Sequence, residues 1–202
     1  MFWLIVLSAV LGYFLGAVPV GYLVGRLYGV DVREHGSGRT GGTNVWRAVG
    51  LTAAIITVVG DALKGILAVV IARQIAGGEL APALAGAAAV MGHNWPIFLR
   101  FRGGAGGMTG VWALLGLNLI AGAVVAPLAL LAVYFTRFAS VGTLTVGFGS
   151  LVVLAAFHFF IPPLSPTEHL VYGFSVAAMV VIALRPNIHR LLQGTERRIT
   201  LW

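Results

Sequence analysis

The sequence predicts an all-α integral membrane protein with seven transmembrane helical segments. Of its 202 residues, 59% are hydrophobic and only 9% are charged, whereas soluble domains carry about 25% charged residues. The apolar runs are continuous rather than alternating, which favours helices over a membrane β-barrel. Most of the basic residues fall in polar stretches between these runs. We therefore expect the chain, 1–202, to form a single multi-pass membrane domain.

Five apolar runs are candidates for membrane-spanning helices, which need about 17–25 apolar residues. They cover residues 2–24, 51–72, 82–99, 140–160 and 169–184. The first charged residue, Arg26, follows the first run, whereas a secretory signal carries positive charge ahead of its apolar core. We therefore interpret the N-terminal run as a retained span.

The apolar stretch 108–135 is either one long helix or two short ones, broken near Gly116–Asn118 and by Pro127. Loop charge decides between these, because cytoplasmic loops are enriched in Lys and Arg. Two helices place eleven of the thirteen basic residues on one side: Arg26, Arg33, Arg39, Arg47, Arg100, Arg102, Arg137, Arg185, Arg190, Arg197 and Arg198. One helix would leave six on each side, with Lys64 inside a span. The distribution therefore predicts seven segments, two of them short, with the N-terminus outside and the C-terminus in the cytoplasm.

Composition also excludes several kinds of site. The chain has no cysteine, which excludes a disulfide, a zinc–thiolate site and a cysteine nucleophile. It has no Walker loop, zinc motif or Gly-x-Ser-x-Gly elbow. The net charge of +7 is spread over several loops, a pattern that indicates membrane orientation and anionic ligands rather than nucleic acid.

Three polar segments converge on the predicted cytoplasmic face. They are "REHGSGRTGGTNVWR" (33–47), "GHNWPIFLRFRGGAGG" (92–107) and "LRPNIHRLLQGTERR" (184–198). The loops predicted on the outside offer little beyond Arg73, Glu79, Glu168 and His169. A site for an anionic substrate is therefore expected to face the cytoplasm.

The first segment holds several kinds of hydrogen-bonding group close together: Ser37, Arg39, Thr43, Asn44 and Arg47. Arg47 is expected one turn into the following helix, where its planar guanidinium can grip a phosphate. The alternative interpretation is a solvated, positively charged loop. A plain loop does not need so many hydrogen-bonding types together, so we favour a binding role for this segment.

The second segment contains a glycine-rich loop at Gly103, Gly104 and Gly106 that follows Arg100 and Arg102. Such a loop can turn backbone N–H groups onto a phosphate, and neighbouring arginines add charge. A helix break at the membrane surface is the alternative, because Gly is common in membrane helices.

Three ionisable residues fall within or at the end of predicted spans. Asp61 and Lys64 lie three residues apart on one helix face, where charges are expensive unless paired. They form either a salt bridge that holds helices together or a proton or ligand site. His93, near the end of the third span, is a candidate general base or phosphate donor, with a hydrogen-bonded structural histidine as the alternative.

The chain resembles the bacterial acyl-phosphate:glycerol-3-phosphate acyltransferases (PlsY type) over nearly its whole length. The resemblance is carried by "YFLGAVPVGYLVGRLYGVDVREHGSG", "TNVWR", "DALKG", "GHNWPIFLRFRGGAG", "TRFAS" and "NIHRLLQGTE". It implies a seven-helix membrane enzyme of the bacterial inner membrane with its site facing the cytoplasm. It also implies transfer of a fatty acyl group from acyl phosphate to the 1-hydroxyl of glycerol 3-phosphate. Lysophosphatidate and phosphate would be the products, without metal or other cofactor.

The resemblance also implies roles for individual residues. Ser37, Asn44 and Arg47 match polar groups that bind substrate phosphate, and Asn187 matches the asparagine of the C-terminal motif. Gly103, Gly104 and Gly106 match the glycine loop. His93 is added as the candidate general base or phosphate donor identified above, independently of the resemblance. The expected catalytic set is therefore Ser37, Asn44, Arg47, His93 and Asn187. The expected substrate-binding set is Arg39, Thr43, Gly103, Gly104 and Gly106.

At three positions the chain differs from the family pattern. Ala105 replaces the lysine of a Gly-Gly-Lys-Gly loop, Leu184 replaces a histidine, and Arg39 replaces an asparagine. We hypothesise that Arg39 replaces the lost lysine from the opposite side of the pocket. The differences leave open a relative with another acyl acceptor or with no activity. A small anion transporter is an alternative of another class.

Overall fold

The computed structural model describes residues 1–200, and nine α-helices account for most of them. The helices are α1 Phe2–Ala17, α2 Val20–Leu27, α3 Gly42–Ala48, α4 Leu51–Ala76, α5 Leu80–Asn94, α6 Gly107–Leu117, α7 Leu119–Thr136, α8 Ala139–Phe160 and α9 Thr167–Leu192. Three short 3₁₀ turns lie in the connections, at Val32–Glu34, Ile97–Leu99 and Pro162–Leu164. The all-α prediction is confirmed.

Within the described residues, five helical stretches are long and apolar enough to cross a membrane. They are Phe2–Leu27, which joins α1 and α2, together with α4, α7, α8 and α9. Two further helices are apolar but shorter, α5 with 15 residues and α6 with 11. Large apolar side chains such as Trp3, Leu130 and Phe160 cover the outside of the bundle, as expected of a surface that faces lipid. The count of seven crossings stays a prediction.

Proline explains why one predicted span is interrupted and another ends early. The first run breaks at Val18 and Pro19, so α1 and α2 are separate helices. The third run was predicted to extend to residue 99, but α5 ends at Asn94, two residues before Pro96. A proline lacks a backbone N–H and disfavours helical geometry in the preceding residue.

The stretch 108–135 contains two helices, but they are not both short. The break falls at Asn118, whose side-chain oxygen accepts a hydrogen bond from the N–H of Ala121 and so caps α7. Pro127 lies inside α7 without ending it, so its predicted role as a helix breaker is wrong. A proline is tolerated within a membrane helix because neighbouring groups satisfy the backbone. With 18 residues, α7 is long enough to span, and only α6 is short.

The last helix reaches further than predicted. It extends to Leu192 rather than residue 184, so most of the third polar segment is helical. Asn187 therefore lies on a rigid helix rather than in a loop, and its side chain is buried. This extension turns α9 into one wall of the polar pocket described below.

Close helix packing depends on small residues. A side chain on Gly16 would collide with the main chain of Ala89, and one on Gly92 would collide with the main chain of Tyr13. These contacts bring α1 directly against α5. Membrane helices associate through such small residues, because lipid supplies no hydrophobic force between them.

A polar cluster holds the end of α6 opposite the pocket. The guanidinium of Arg73 donates hydrogen bonds of 2.7 Å to the carbonyls of Gly116 and Leu117. It also lies 2.9 Å from the carboxylate of Glu79, which His169 contacts at the same distance. The last carbonyls of a helix have no partner within that helix, so Arg73 satisfies groups that would otherwise lack a partner there.

Candidate active site

The structure brings the three polar segments together in one pocket. Its lining comes from the 33–47 segment, α4, the end of α5, the start of α6, the start of α8, α9 and the segment after α9. Eight of the residues predicted from sequence line it: Ser37, Arg39, Thr43, Asn44, Arg47, His93, Gly106 and Asn187. Gly103 and Gly104 are not among the lining residues, although the carbonyl of Gly104 bonds to Arg39.

Asn44 organises the first segment from within. Its side-chain nitrogen donates to the carbonyls of Val32, His35 and Arg39 at 2.8–3.1 Å. Its side-chain oxygen accepts from the N–H of Ser37 at 2.9 Å. The amide is therefore saturated by the loop and buried, with 3% of the residue exposed. These contacts make Asn44 a residue that shapes the loop, rather than one that presents its own side chain to a ligand.

Arg47 lies in the last turn of the short helix α3 and not in the following span. Gly50, with φ +127°, separates α3 from α4, a conformation that glycine adopts easily. The guanidinium donates to the carbonyl of Arg198 at 3.3 Å. Burial lowers the pKa of Arg47, and the nearby Arg197 lowers it further, while Glu196 opposes the shift. An anionic ligand would relieve both effects.

Arg39 reaches across the pocket. Its guanidinium donates to the carbonyl of Gly104 at 3.1 Å, to the carbonyl of Ala183 and to the side-chain oxygen of Asn187 at 3.1 Å. Burial and the repulsion of Arg190 lower the pKa of Arg39, against the attraction of Glu196. All three acceptors are neutral, so these contacts leave a partly buried positive charge that no carboxylate within residues 1–200 contacts directly.

The glycine loop does not offer all of its N–H groups to the pocket. The N–H of Gly103 bonds to the carbonyl of Asn94 at 3.2 Å, and that of Gly104 bonds to the carbonyl of His93 at 2.9 Å. In this structure these two N–H groups are therefore engaged by the main chain of the turn, and substrate binding by the two glycines stays a prediction. They are glycines because a side chain on either would collide with the turn at His93 and Asn94.

The start of α6 supplies the N–H groups that the loop does not. Gly106 precedes the helix with φ +82°, and Gly106, Gly107 and Met108 line the pocket. The first N–H groups of an α-helix have no partner within the helix, and its dipole places partial positive charge there. This helix end therefore faces the pocket as a place suited to an anion.

Asp61, Lys64 and His93 form a buried cluster at the pocket wall. The Lys64 ammonium lies 2.8 Å from the Asp61 carboxylate and donates to the carbonyl of Val18 at 3.1 Å. Nδ1 of His93 lies 3.4 Å from the same carboxylate oxygen. The salt bridge lies within α4, and the hydrogen bond from Lys64 to Val18 joins α4 to the end of α1. Asp61 and His93 also line the pocket.

The comparisons with known proteins agree with this fold. The sequence pattern of the glycerol-3-phosphate acyltransferase family matches residues 6–194. The chain belongs to the glycerol-3-phosphate acyltransferase family. It is 42% identical to the glycerol-3-phosphate acyltransferase of Rubrobacter xylanophilus, over 96% of this chain and 94% of the relative. It is 39% identical to glycerol-3-phosphate acyltransferase 2 of Moorella thermoacetica, over 98% and 97%.

Solved structures of the glycerol-3-phosphate acyltransferase family show the same architecture. The crystal structure of PlsY (YgiH), an integral membrane enzyme of this name, in its glycerol 3-phosphate form matches with a TM-score of 0.86 at 28% identity. Its lysophosphatidic acid form matches with a TM-score of 0.83. Each match covers 96% of this chain and 95% of the crystal structure's chain. The resemblance inferred from the sequence motifs is confirmed.

Several pocket residues of this glycerol-3-phosphate acyltransferase family member were not predicted individually. They are Ser140, Thr143, Arg190, Glu196 and Arg197. Ser140 and Glu196 lie in "TRFAS" and "NIHRLLQGTE", two motifs that carried the resemblance. A signal was therefore present in the sequence. Their roles were not, because single-sequence reasoning does not show that α8 and the C-terminal segment meet.

Proposed function

We propose that this chain transfers a fatty acyl group from acyl phosphate to the 1-hydroxyl of glycerol 3-phosphate. The products are lysophosphatidate and phosphate. One observation carries the proposal: two guanidinium groups, Arg39 and Arg47, line one pocket with the start of α6. A reaction with two phosphorylated substrates needs such a concentration of positive charge.

Acyl phosphate is a mixed anhydride, so the site does not need a protein nucleophile. The 1-hydroxyl oxygen attacks the carbonyl carbon, the bond between that carbon and the phosphate oxygen breaks, and phosphate leaves. Holding the two reactants in contact supplies much of the acceleration. No metal or other cofactor takes part in this proposal.

We assign the pocket residues as follows. Arg39 and Arg47 bind phosphate, with the hydroxyls of Ser37 and Thr43 as additional donors. The first N–H groups of α6 stabilise negative charge beside Gly106. Asn187 donates and accepts hydrogen bonds within the same wall. His93 takes the proton of the attacking hydroxyl.

The remaining expected residues act through the shape of the pocket. Asn44 holds the first segment in place, because its side chain bonds to three main-chain groups of that segment and to the carbonyl of Val32 just before it. Gly103 and Gly104 allow the loop before α6 to pack against His93.

We place the site on the cytoplasmic side of the bacterial inner membrane, with seven crossings and the N-terminus outside. The support is the distribution of Lys and Arg, eleven of thirteen on the side that carries the pocket. On this topology α5 and α6 also cross, although they are shorter than the other spans. The lipid donor then reaches the pocket from within the bilayer.

Release of phosphate from acyl phosphate by the purified protein tests the proposal. Release should depend on glycerol 3-phosphate and should yield lysophosphatidate in equal amount. Release without an acceptor, or with an acceptor other than glycerol 3-phosphate, would contradict it.

A related function with another acyl acceptor is favoured by one feature of the pocket. Ala105 and Leu184 give it apolar lining where the family pattern has a lysine and a histidine. The same assay with a panel of phosphorylated and unphosphorylated alcohols distinguishes this alternative.

A further inference from the structure

Glu196 places a carboxylate in a pocket that we assign to anions. Only 6% of its side chain is exposed. One oxygen accepts from Nε of Arg190 at 2.8 Å, and the other accepts from the Ser140 hydroxyl at 3.1 Å and from the Asn187 amide at 2.7 Å. Both oxygens are therefore engaged by protein donors. Burying a carboxylate beside a phosphate site costs free energy, so we expect Glu196 to have a specific role there.

Glu196 fixes the orientation of the Asn187 amide. A carboxylate only accepts hydrogen bonds and a guanidinium only donates them. The nitrogen of Asn187 faces Glu196, and its oxygen accepts from Arg39 at 3.1 Å. The opposite orientation would turn the amide nitrogen towards Arg39 and the oxygen towards Glu196, so that both contacts become repulsive.

The orientation of Asn187 in turn determines how Arg39 lies. Besides Asn187, the guanidinium bonds to the carbonyls of Gly104 and Ala183. A guanidinium has five N–H donors, so these contacts leave donors for a ligand. A continuous series of hydrogen bonds thus runs from the C-terminal segment through α9 to the loop before α6.

The C-terminal segment is itself held over the pocket. The N–H of Ile199, a buried residue, donates to the carbonyl of Arg137 at 2.7 Å. Arg47 donates to the carbonyl of Arg198, and Arg197 donates to that of Gly36. The position of Glu196 is therefore set by main-chain contacts on both sides of the pocket.

We propose that Glu196 is a positioning residue which, through the Asn187 side chain, directs the Arg39 guanidinium towards a substrate phosphate. The proposal rests on the proposed function for the assignment of Arg39 to phosphate. It needs a phosphate in the pocket but does not depend on the acyl acceptor.

Binding of inorganic phosphate to the purified full-length protein tests the proposal separately from acyl transfer. In Glu196→Gln the new side chain carries both a donor and an acceptor, so it no longer dictates the Asn187 orientation. We expect the Kd for phosphate to rise about tenfold, as for the loss of one hydrogen bond to a charged group. Glu168→Gln is the matched control, because Glu168 lies in the first turn of α9, at the other end of that helix. It should bind phosphate as the wild type does.

The double variant Glu196→Gln with Asn187→Asp separates positioning from a merely structural role. In the wild type Asn187 donates this hydrogen bond to Glu196. In the double variant residue 196 donates and residue 187 accepts, and the net charge is unchanged. The glutamine amide can donate to the new carboxylate, which still accepts from Arg39. We expect the double variant to bind phosphate more tightly than Glu196→Gln, because Arg39 again meets an acceptor of fixed orientation.

The proposal is overturned if Glu196→Gln binds phosphate as tightly as the wild type, or if the wild type does not bind phosphate. It is also overturned if the double variant binds phosphate no better than Glu196→Gln, or does not fold. If Glu196→Gln alone fails to fold, the double variant decides. If the wild type binds phosphate but does not transfer acyl groups, the proposed function is contradicted, whereas the positioning role of Glu196 is not.

Discussion

The guanidinium of Arg39 lies 3.1 Å from the carbonyl oxygen of Gly104, the residue directly before Ala105. The hypothesis that Arg39 replaces the missing loop lysine required this proximity, since attraction to a shared phosphate falls with distance and screening. A guanidinium directed into water, away from the loop, would have refuted it. The two segments instead meet at the pocket.

Arg39→Asn should abolish phosphate release from acyl phosphate, because it removes a guanidinium that lines the pocket and contacts the loop before α6. Adding Ala105→Lys should restore at least part of the activity by returning a cation from the opposite wall. Arg33→Asn is the matched control, since Arg33 lies in the same segment but pairs with Asp31. A double variant no more active than Arg39→Asn would contradict the replacement.

Arg47→Ala should remove most transfer activity while the protein remains folded in detergent. Arg47→Lys should rescue only part of it, because a point charge does not reproduce the two-pronged contact of a guanidinium with a phosphate. Initial rates and thermal unfolding of the purified variants give the comparison. Near-normal rates in Arg47→Ala would remove Arg47 from the site.

Asp61→Asn should destabilise the protein by about 3–5 kcal/mol, because it leaves the buried Lys64 ammonium without its carboxylate. Replacing both residues, Asp61→Leu with Lys64→Met, should recover much of that loss, since neither charge then remains buried. Thermal unfolding in detergent measures both. If Asp61→Asn unfolds at the wild-type temperature, the salt bridge does not stabilise the fold.

Gly104→Ala should reduce activity strongly, because the added methyl would collide with the imidazole of His93 and displace the loop before α6. Gly149→Ala is the matched control. Its methyl would meet side-chain methyl groups of Val125 at 3.3 Å, which a small adjustment of that side chain relieves. Equal activity of the two variants would show that the loop tolerates the displacement.

Reporter tags test the topology. Tags at Gly78 and Thr167 should be accessible from outside, and tags at His35, Gly104 and the C-terminus should be accessible from the cytoplasm. The two outer positions lie in or beside connections next to the Arg73 cluster, at the end of the bundle opposite the pocket. An external C-terminus would overturn the proposed orientation.

The sequence predicted those features that depend on local pattern. Hydropathy located the long helices, and loop charge indicated two helices within 108–135, which Asn118 separates. The same reasoning misjudged Pro127, because the tolerance of a proline depends on its neighbours in the bundle and not on its position in the chain.

The contents of the pocket were predictable, but the contacts between its parts were not. The glycines of the loop suggested exposed N–H groups, whereas the fold uses those of Gly103 and Gly104 to hold the turn at His93. Asn44 looked like a ligand-binding amide and bonds instead to its own segment. In both cases the residue type indicated hydrogen bonding, and only tertiary structure decides between ligand and main chain as the partner.

The shortness of α6 sets its first residue back from the far end of α7. α6 has 11 residues and α7 has 18, and the two join at Asn118. With a rise of about 1.5 Å per residue, the start of α6 is recessed by roughly 10 Å relative to the far end of α7. Each methylene of an acyl chain withdrawn from lipid costs about 0.8 kcal/mol. In the proposed reaction, such a recess would let the water-soluble acceptor reach the acyl carbonyl while the donor keeps its chain in the bilayer.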